Sequence, residues 1–348
     1  TLSPSSAASD VYKRQGLAYV ATIVMGGSLV VSHVITIGNL VSFITYLSMM
    51  IWPIFAVGML FNTMERGNAS YDRVMNLINE RSQVIDQTDG KSERPAGDLS
   101  FNVEKFNYPD DPQTALSKVS FTIPAGKTLG IVGRVGAGKT TIMRLLLRQF
   151  EQYQGHIKYG DTDILDYQLD SYLPALGYVP QDSFLFSESV RDNIAFAKPE
   201  ATDAEIDAVV KEADLADQID QFENGFDTLV GEEGVSLSGG QRQRLAIARA
   251  LLIKPELLIL DDALSAVDAE TESKILTNLH GERAGKTTII AAHRLSSVMQ
   301  ADEIIVMDHG TVTERGNHDQ LMAQDGWYHQ MFERQELEMR VRGANGEE

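Results

Sequence analysis

The chain has 348 residues, of which 43% are hydrophobic and 23% charged, with a formal net charge of −19 and no cysteine. The length allows more than one domain. The acidic balance argues against nucleic acid as the main partner, because phosphate backbones call for clustered Lys and Arg. The missing cysteines exclude disulfides, a thiolate zinc site and a cysteine nucleophile.

In chain order, residues 1–15 (TLSPSSAASDVYKRQ) are Ser-rich and aperiodic, with no initiator Met or signal-peptide pattern, and are expected to be disordered or a non-native junction. Residues 16–64 contain no Asp, Glu, Lys or Arg, so nearly all of the charge follows them. Gly16–Val31 is shorter than the ~20 residues a spanning helix needs, whereas Ile37–Phe61 is long enough. Ser32, His33, Gly38 and Asn39 supply a turn between them, Pro53 is expected to kink the second helix, and Arg66 and Arg73 flank a cytosolic exit. A transmembrane hairpin fragment is predicted over 16–64; buried helices of a soluble core remain an alternative for the first piece. Residues 65–97 read as a polar helical exit with Val74, Leu77 and Ile78 at helical spacing, then the linker DGKSERPAGD.

From residue 98 to 335 apolar strands alternate with helices, the pattern of a largely parallel sheet covered on both faces. The strands are expected at Leu129–Val132, Leu257–Leu260, Thr287–Ala291 and Glu303–Met307, and helices at Thr140–Phe150, Gln241–Leu252 and Glu270–His280. Residues 336–348 form a tail. Between the first strand and helix lies GRVGAGKTT, Gly133–Thr141, which fits the phosphate-binding pattern G-x-x-x-x-G-K-[ST] in the context that confirms it. Gly133, Gly136 and Gly138 let the backbone wrap with its amides inward. Lys139 reaches β and γ phosphates, Thr140 offers a hydroxyl to Mg²⁺, and the helix adds its positive end. The plainer reading is a tight strand–helix loop.

LSGGQRQR, Leu237–Arg244, opens a second helix with a Ser N-cap and exposed amides, either an anion site or an ordinary capped helix. LLILDDALSAVD, Leu257–Asp268, places Asp261 at the end of a buried strand to hold Mg²⁺, with Asp262 where a general base for an attacking water would stand; taken alone, it also reads as a strand ending in a solvated acidic turn.

A phosphate loop, then LSGGQ, then an apolar run ending in two acids resembles the ATP-binding cassette (ABC) family over about Leu99 to Glu333. The resemblance implies an α/β fold, the P-loop NTPase cassette with a RecA-like mixed-sheet core and a helical subdomain, preceded here by the all-α hairpin. It implies that Tyr108 in KFNYPDD stacks on adenine and that Gln181 in YVPQDSFLF touches Mg²⁺ and senses the membrane domain. SAVD, Ser265–Asp268, would cross a dimer interface, and His293 in AAHRLSSV would contact the γ-phosphate. Such cassettes bind MgATP as head-to-tail dimers, with Gly133–Thr141 of one subunit and Ser238, Gly239, Gly240 and Gln241 of the other enclosing each nucleotide. The runs MIWPIFAVGMLFNTMERGNASYDR and GNHDQLMAQDGWYHQMF are similar to bacterial multidrug-resistance-like exporter half-transporters, so residues 16–64 look like the last one and a half of six helices. Active transport at the inner membrane, a second half-transporter as partner and a small lipophilic substrate are what the resemblance implies. A soluble ABC ATPase and a regulatory module with negligible hydrolysis are the alternatives.

One departure matters. Most active cassettes carry Glu where Asp262 stands. A carboxylate shorter by one methylene sits roughly 1–1.5 Å back from the water it must orient, and misplacement of ~1 Å can lose ~10²-fold in rate. This predicts a slow site on this chain's phosphate loop; with LSGGQ intact, the asymmetry resembles that of heterodimeric exporters, and the resemblance implies a signature serving a partner's faster site and a heterodimer rather than a homodimer. A second departure, Glu233 in VGEEG where related exporters usually have Arg, also reads as a solvated turn.

Overall fold

The computed structural model describes residues 4–80, 82, 84–87, 89–109, 111–231 and 237–345. Glu233 lies outside the described residues. The chain divides into two compact units, Thr1–Ser82 and Gln83–Glu348.

The first unit is helical: α1 (Pro4–Val31), α2 (Ile37–Met49) and α3 (Ile51–Asn79). Helix α1 starts far ahead of the predicted apolar segment. The stretch expected to be disordered is helical from Pro4, and from Ser5 to Gln15 it contains no Gly or Pro to break it. Thr36 caps α2, its hydroxyl accepting the Asn39 N–H at 3.2 Å. A side-chain carbon at Gly26 would collide with Leu40, so the glycine lets α1 and α2 approach closely. The hairpin also joins the Tyr19 hydroxyl to the Ser48 hydroxyl. The second span is interrupted for a single residue, Met50, before it continues as α3. Pro53 explains the break, since it has no N–H to give the Met49 carbonyl, while Ile54 still reaches Met50 O at 3.2 Å. Two stretches, Lys13–Val31 and Ile37–Asn79, are long and apolar enough to cross a membrane. No residue of α2 or α3 is buried, and Val31 and Trp52 are 81% and 71% exposed. Apolar surface on that scale belongs against lipid or another protein, not water.

The second unit contains two sheets. An antiparallel one comprises β1 (Leu99–Asn107), β2 (Thr114–Ile123), β4 (Gln154–Tyr159) and β5 (Thr162–Asp163) in the order β2-β1-β4-β5. The larger sheet has the order β10-β9-β3-β8-β7-β6, from β3 (Thr128–Gly133), β6 (Leu176–Val179), β7 (Leu257–Asp261), β8 (Thr287–Ala291), β9 (Glu303–Asp308) and β10 (Thr311–Gly316). Its strands are parallel except for the β9–β10 hairpin. Helices α4 (Lys139–Leu146), α5 (Leu169–Tyr172), α6 (Val190–Ala195), α7 (Asp203–Glu212), α8 (Ala216–Ile219), α9 (Gly239–Leu252), α10 (Ala269–Glu282), α11 (His318–Ala323) and α12 (Trp327–Asn345) complete the unit.

Strand alternation assigns the parallel sheet to two cores. Leu258, Leu260, Ile290, Ile304 and Val306 face the core shared with α6–α10, while Leu257, Ile259, Ile289, Ile305 and Met307 face the one shared with α4 and the antiparallel sheet. Phe101 and Phe121, directly paired across β1 and β2, stack at 4.9 Å in the second core.

Two expectations change. The helix predicted to run to Phe150 ends at Leu146, because Arg148 adopts a left-handed φ of 53° and turns its guanidinium into the protein. The segment expected as a linker is fastened to the second unit. The Lys91 N–H donates to Asp166 O at 2.8 Å, and Arg94 Nη2 reaches Pro174 O at 3.1 Å and Lys254 O at 3.2 Å.

Candidate functional site

A cleft of about 490 Å³ opens at the C-terminal ends of the parallel strands, where the loop after β3 meets those after β7 and β8. Residues 135–138 of the loop after β3 line the cleft, while Gly133 and Arg134 do not. Gly133 ends β3 at φ 145°, and any side chain there would run into the Met307 carbonyl of the neighbouring strand, so only glycine lets the chain leave the sheet at this point. Helix α4 then begins at Lys139, presenting its free N–H groups and positive dipole end to the cleft. The Lys139 ammonium donates to Gly133 O at 2.9 Å and Arg134 O at 3.2 Å, folding back over its own loop. Burial lowers its pKa, opposed by the charges of Asp262 and Asp261.

At the end of β7, Asp261 is 3% exposed. Its Oδ1 lies 3.4 Å from the Thr140 hydroxyl and its Oδ2 accepts from the Tyr178 hydroxyl at 3.4 Å. Burial raises the Asp261 pKa despite these bonds. Tyr178 is pushed up to about 12 by burial and by Asp261, so its hydroxyl stays a donor. Thr140, Asp261 and the carboxamide of Gln181 offer hard oxygens of the type Mg²⁺ takes beside phosphates. Among the described residues no group of three or more His, Cys, Asp or Glu could hold a metal.

Asp262 takes a left-handed φ of 52°. Its N–H donates to Ala291 O at 2.7 Å, and its Oδ1 accepts the His293 N–H at 3.2 Å. One carboxylate oxygen is thereby committed to the loop after β8. On the opposite side, Tyr108 sits half-buried just past β1, its hydroxyl 3.0 Å from the Thr141 hydroxyl and its ring edge-on to Phe106 and Phe150.

The structure brings together Tyr108, Gly136, Gly138, Lys139, Thr140, Thr141, Gln181, Asp261, Asp262 and His293 along one cleft. Ser238, Gly239, Gly240, Gln241 and Asp268 do not line it. Ser238 and Gln241 form a reciprocal capping box on α9, with Gln241 N–H to Ser238 Oγ at 3.2 Å and Ser238 N–H to Gln241 Oε1 at 2.8 Å. Gly240 passes so close to the loop after β7 that a side-chain carbon would lie 2.9 Å from Ala266 O. Asp268 caps α10 by accepting the Thr271 N–H at 2.9 Å, the bond that chiefly lowers its pKa.

Sequence reasoning passed over Gln243, which braces the SAVD loop. Its Oε1 accepts the Ala266 N–H at 2.9 Å, and its Nε2 donates to Ser265 Oγ at 3.0 Å. The only signal for it was a polar residue inside an otherwise apolar helix face.

The ABC transporter family pattern matches residues 116–265. The chain is 46% identical over 331 residues to the probable multidrug resistance ABC transporter ATP-binding/permease protein YheI of Bacillus subtilis, covering 95% of this chain and 57% of that protein. It is also 46% identical over 328 residues to the multidrug resistance-like ATP-binding protein MdlA of Escherichia coli, covering 94% and 55% respectively. The chain therefore spans little more than half the length of these relatives. The solved structure of a bacterial Atm1-family ABC exporter with ATP bound superposes with a TM-score of 0.74 at 36% identity, over 95% of this chain and 60% of that one. With cleft, capped loop, strand order and family pattern in agreement, residues 116–265 carry the ATP-binding domain of the ABC transporter family.

Proposed function

We propose that the second unit binds MgATP in the cleft and hydrolyses it as half of a head-to-tail cassette dimer that drives export across the inner membrane, with the cassette in the cytoplasm. Lys139 and the amides of residues 133–141 hold the phosphates, and Tyr108 supports the adenine. Thr140, Asp261 and Gln181 hold Mg²⁺, which supplies charge neutralisation to the phosphoryl oxygens when bound. Asp262 orients the attacking water and His293 contacts the terminal phosphate. Ser238, Gly239, Gly240, Gln241 and Asp268 serve the nucleotide of a partner half-transporter. The relatives' printed names support multidrug export, and the apolar exposed helices of the first unit support the membrane.

The observation that carries this reading is the separation of two anion-ready loops. The phosphate loop lines the cleft of this chain and the capped signature loop does not, so the signature is available to a second subunit. The partner is inferred to be a paralogue carrying Glu after its own metal-binding aspartate. Asp262 is one methylene short, and one of its oxygens already holds the His293 N–H. The test is the ATPase rate of this subunit assembled alone and with such a partner, each with wild-type Asp262 and with Asp262→Glu. The expected result is slow turnover alone, a rise approaching ~10²-fold on Asp262→Glu, and fast turnover in the pair. Full activity of the wild-type chain alone would remove the heterodimer reading, and no gain on Asp262→Glu would remove the short-base reading.

A further inference from the structure

We propose that Gln335, in the C-terminal helix, is a positioning residue for His293; this rests on the reading of the cleft as an ATP site with His293 at its terminal phosphate. Helix α12 is a firm base for such a role. Tyr328 is fully buried, its hydroxyl meets His318 Nδ1 at 2.9 Å, and its N–H donates to Glu314 Oε2 at 3.1 Å. Trp327, Met331 and Phe332 pack against the same core. Gln335 follows Tyr328 by seven residues, about two turns, and so shares that inward face.

There its carboxamide brackets the loop after β8. The oxygen accepts the Leu295 N–H at 2.9 Å, and the nitrogen donates to His293 O at 2.8 Å. Only one orientation of the amide satisfies both peptide groups, and among side chains of this length only glutamine carries a donor and an acceptor at once. The His293 N–H is held from the other side by Asp262 Oδ1. His293 is thus fixed at both peptide groups, by the end of β7 and by the C-terminal helix, and it is one of the residues lining the cleft. A helix serving only as a structural buttress needs the packing of Tyr328 and Phe332 but has no need of this pair of bonds.

The consequence is specific to ATP over ADP, since His293 is assigned to the phosphate that ADP lacks. The Kd values of MgATP and MgADP are measured on the whole chain for wild type, Gln335→Leu, Gln335→Glu, His293→Ala and the Gln335→Leu/His293→Ala pair. The glutamate variant keeps the acceptor for Leu295 and the size of the side chain but sets an anion against His293 O, so it tests the role even if the leucine variant folds poorly. The expected result is a loss of ATP affinity of roughly 5–10-fold, the worth of about one hydrogen bond, with less than about twofold change for ADP. The double variant should be no worse than His293→Ala alone. An unchanged ATP-to-ADP ratio in both Gln335 variants, or losses that multiply in the double variant, would overturn the proposal. Lys139→Ala separates this from failure of the cleft reading. If it leaves both nucleotides bound as in wild type, the cleft is not the ATP site; if it abolishes binding while the Gln335 variants bind normally, only the positioning role falls.

Discussion

Asp261 shows what a single residue gives up for the site. Its carboxylate is almost fully buried, and burial lifts its pKa even though Thr140, Tyr178 and Lys139 favour the charge. A carboxylate whose folded pKa lies above its unfolded value lowers stability once ionised. The penalty is fully present above the folded pKa and absent below the unfolded one. Asp261→Asn is therefore expected to stabilise the nucleotide-free protein at pH 7 by about 0.5–2 kcal/mol, with the gain shrinking as pH falls through the acidic range, while MgATP affinity drops. Denaturant unfolding of both forms at pH 7 and under mildly acidic conditions checks this, and a destabilised Asn variant at pH 7 would contradict it. Asp261 was legible in the sequence because an apolar run ending in Asp is a local pattern. Gln243 and Gln335 were not, because the groups they bond lie 19–23 and 40–42 positions away in the chain, and no spacing rule reaches that far.

At the scale of elements, the parallel strands β3, β7, β8 and β9 and the helices α9 and α10 follow from periodicity and fall within a residue or two of expectation, whereas the short parallel edge strand β6 was not expected. The antiparallel sheet and the end of α4 did not. The short strands β4 and β5 carry little periodicity, and the sequence LLLRQF continues a helical pattern past Leu146. What stops the helix is a tertiary bond set. Arg148, 1% exposed, donates to Glu151 Oε1 at 2.6 and 3.0 Å, Ile164 O at 3.2 Å, Tyr167 O at 2.8 Å and Ile85 O at 3.1 Å. One guanidinium thus ties the end of α4 to the chain after β5 and to the segment that enters the second unit. Replacing it by methionine keeps the apolar length but strands a nearly buried carboxylate and three carbonyls. Arg148→Met should therefore cost about 3–5 kcal/mol. The shift of the urea midpoint at constant slope measures it, and a loss below ~1 kcal/mol would show that water replaces the guanidinium at little cost.

For the whole molecule the question is which part needs the membrane. Among the described residues, both hydrophobic cores of the second unit are built from residues between Leu99 and Phe332. The second unit also holds most of the acidic surface behind the net charge of −19, which favours solubility. The first unit has the opposite character: long apolar helices with scarcely a buried side chain among those described. Residues 83–348 expressed alone should therefore stay in the supernatant without detergent and bind MgATP within about twofold of the full chain, a difference under ~0.5 kcal/mol. The full chain should remain with membranes through an alkaline carbonate wash and require detergent for extraction. A full chain that is soluble and monodisperse without detergent would mean that α1–α3 bury their apolar surface on protein. A fragment 83–348 that precipitates would mean that the cassette borrows part of its core from the helices. The expected outcome follows from the hydrophobic effect acting on each unit separately: one unit has closed its core with its own side chains, and the other has left its apolar faces for a different solvent.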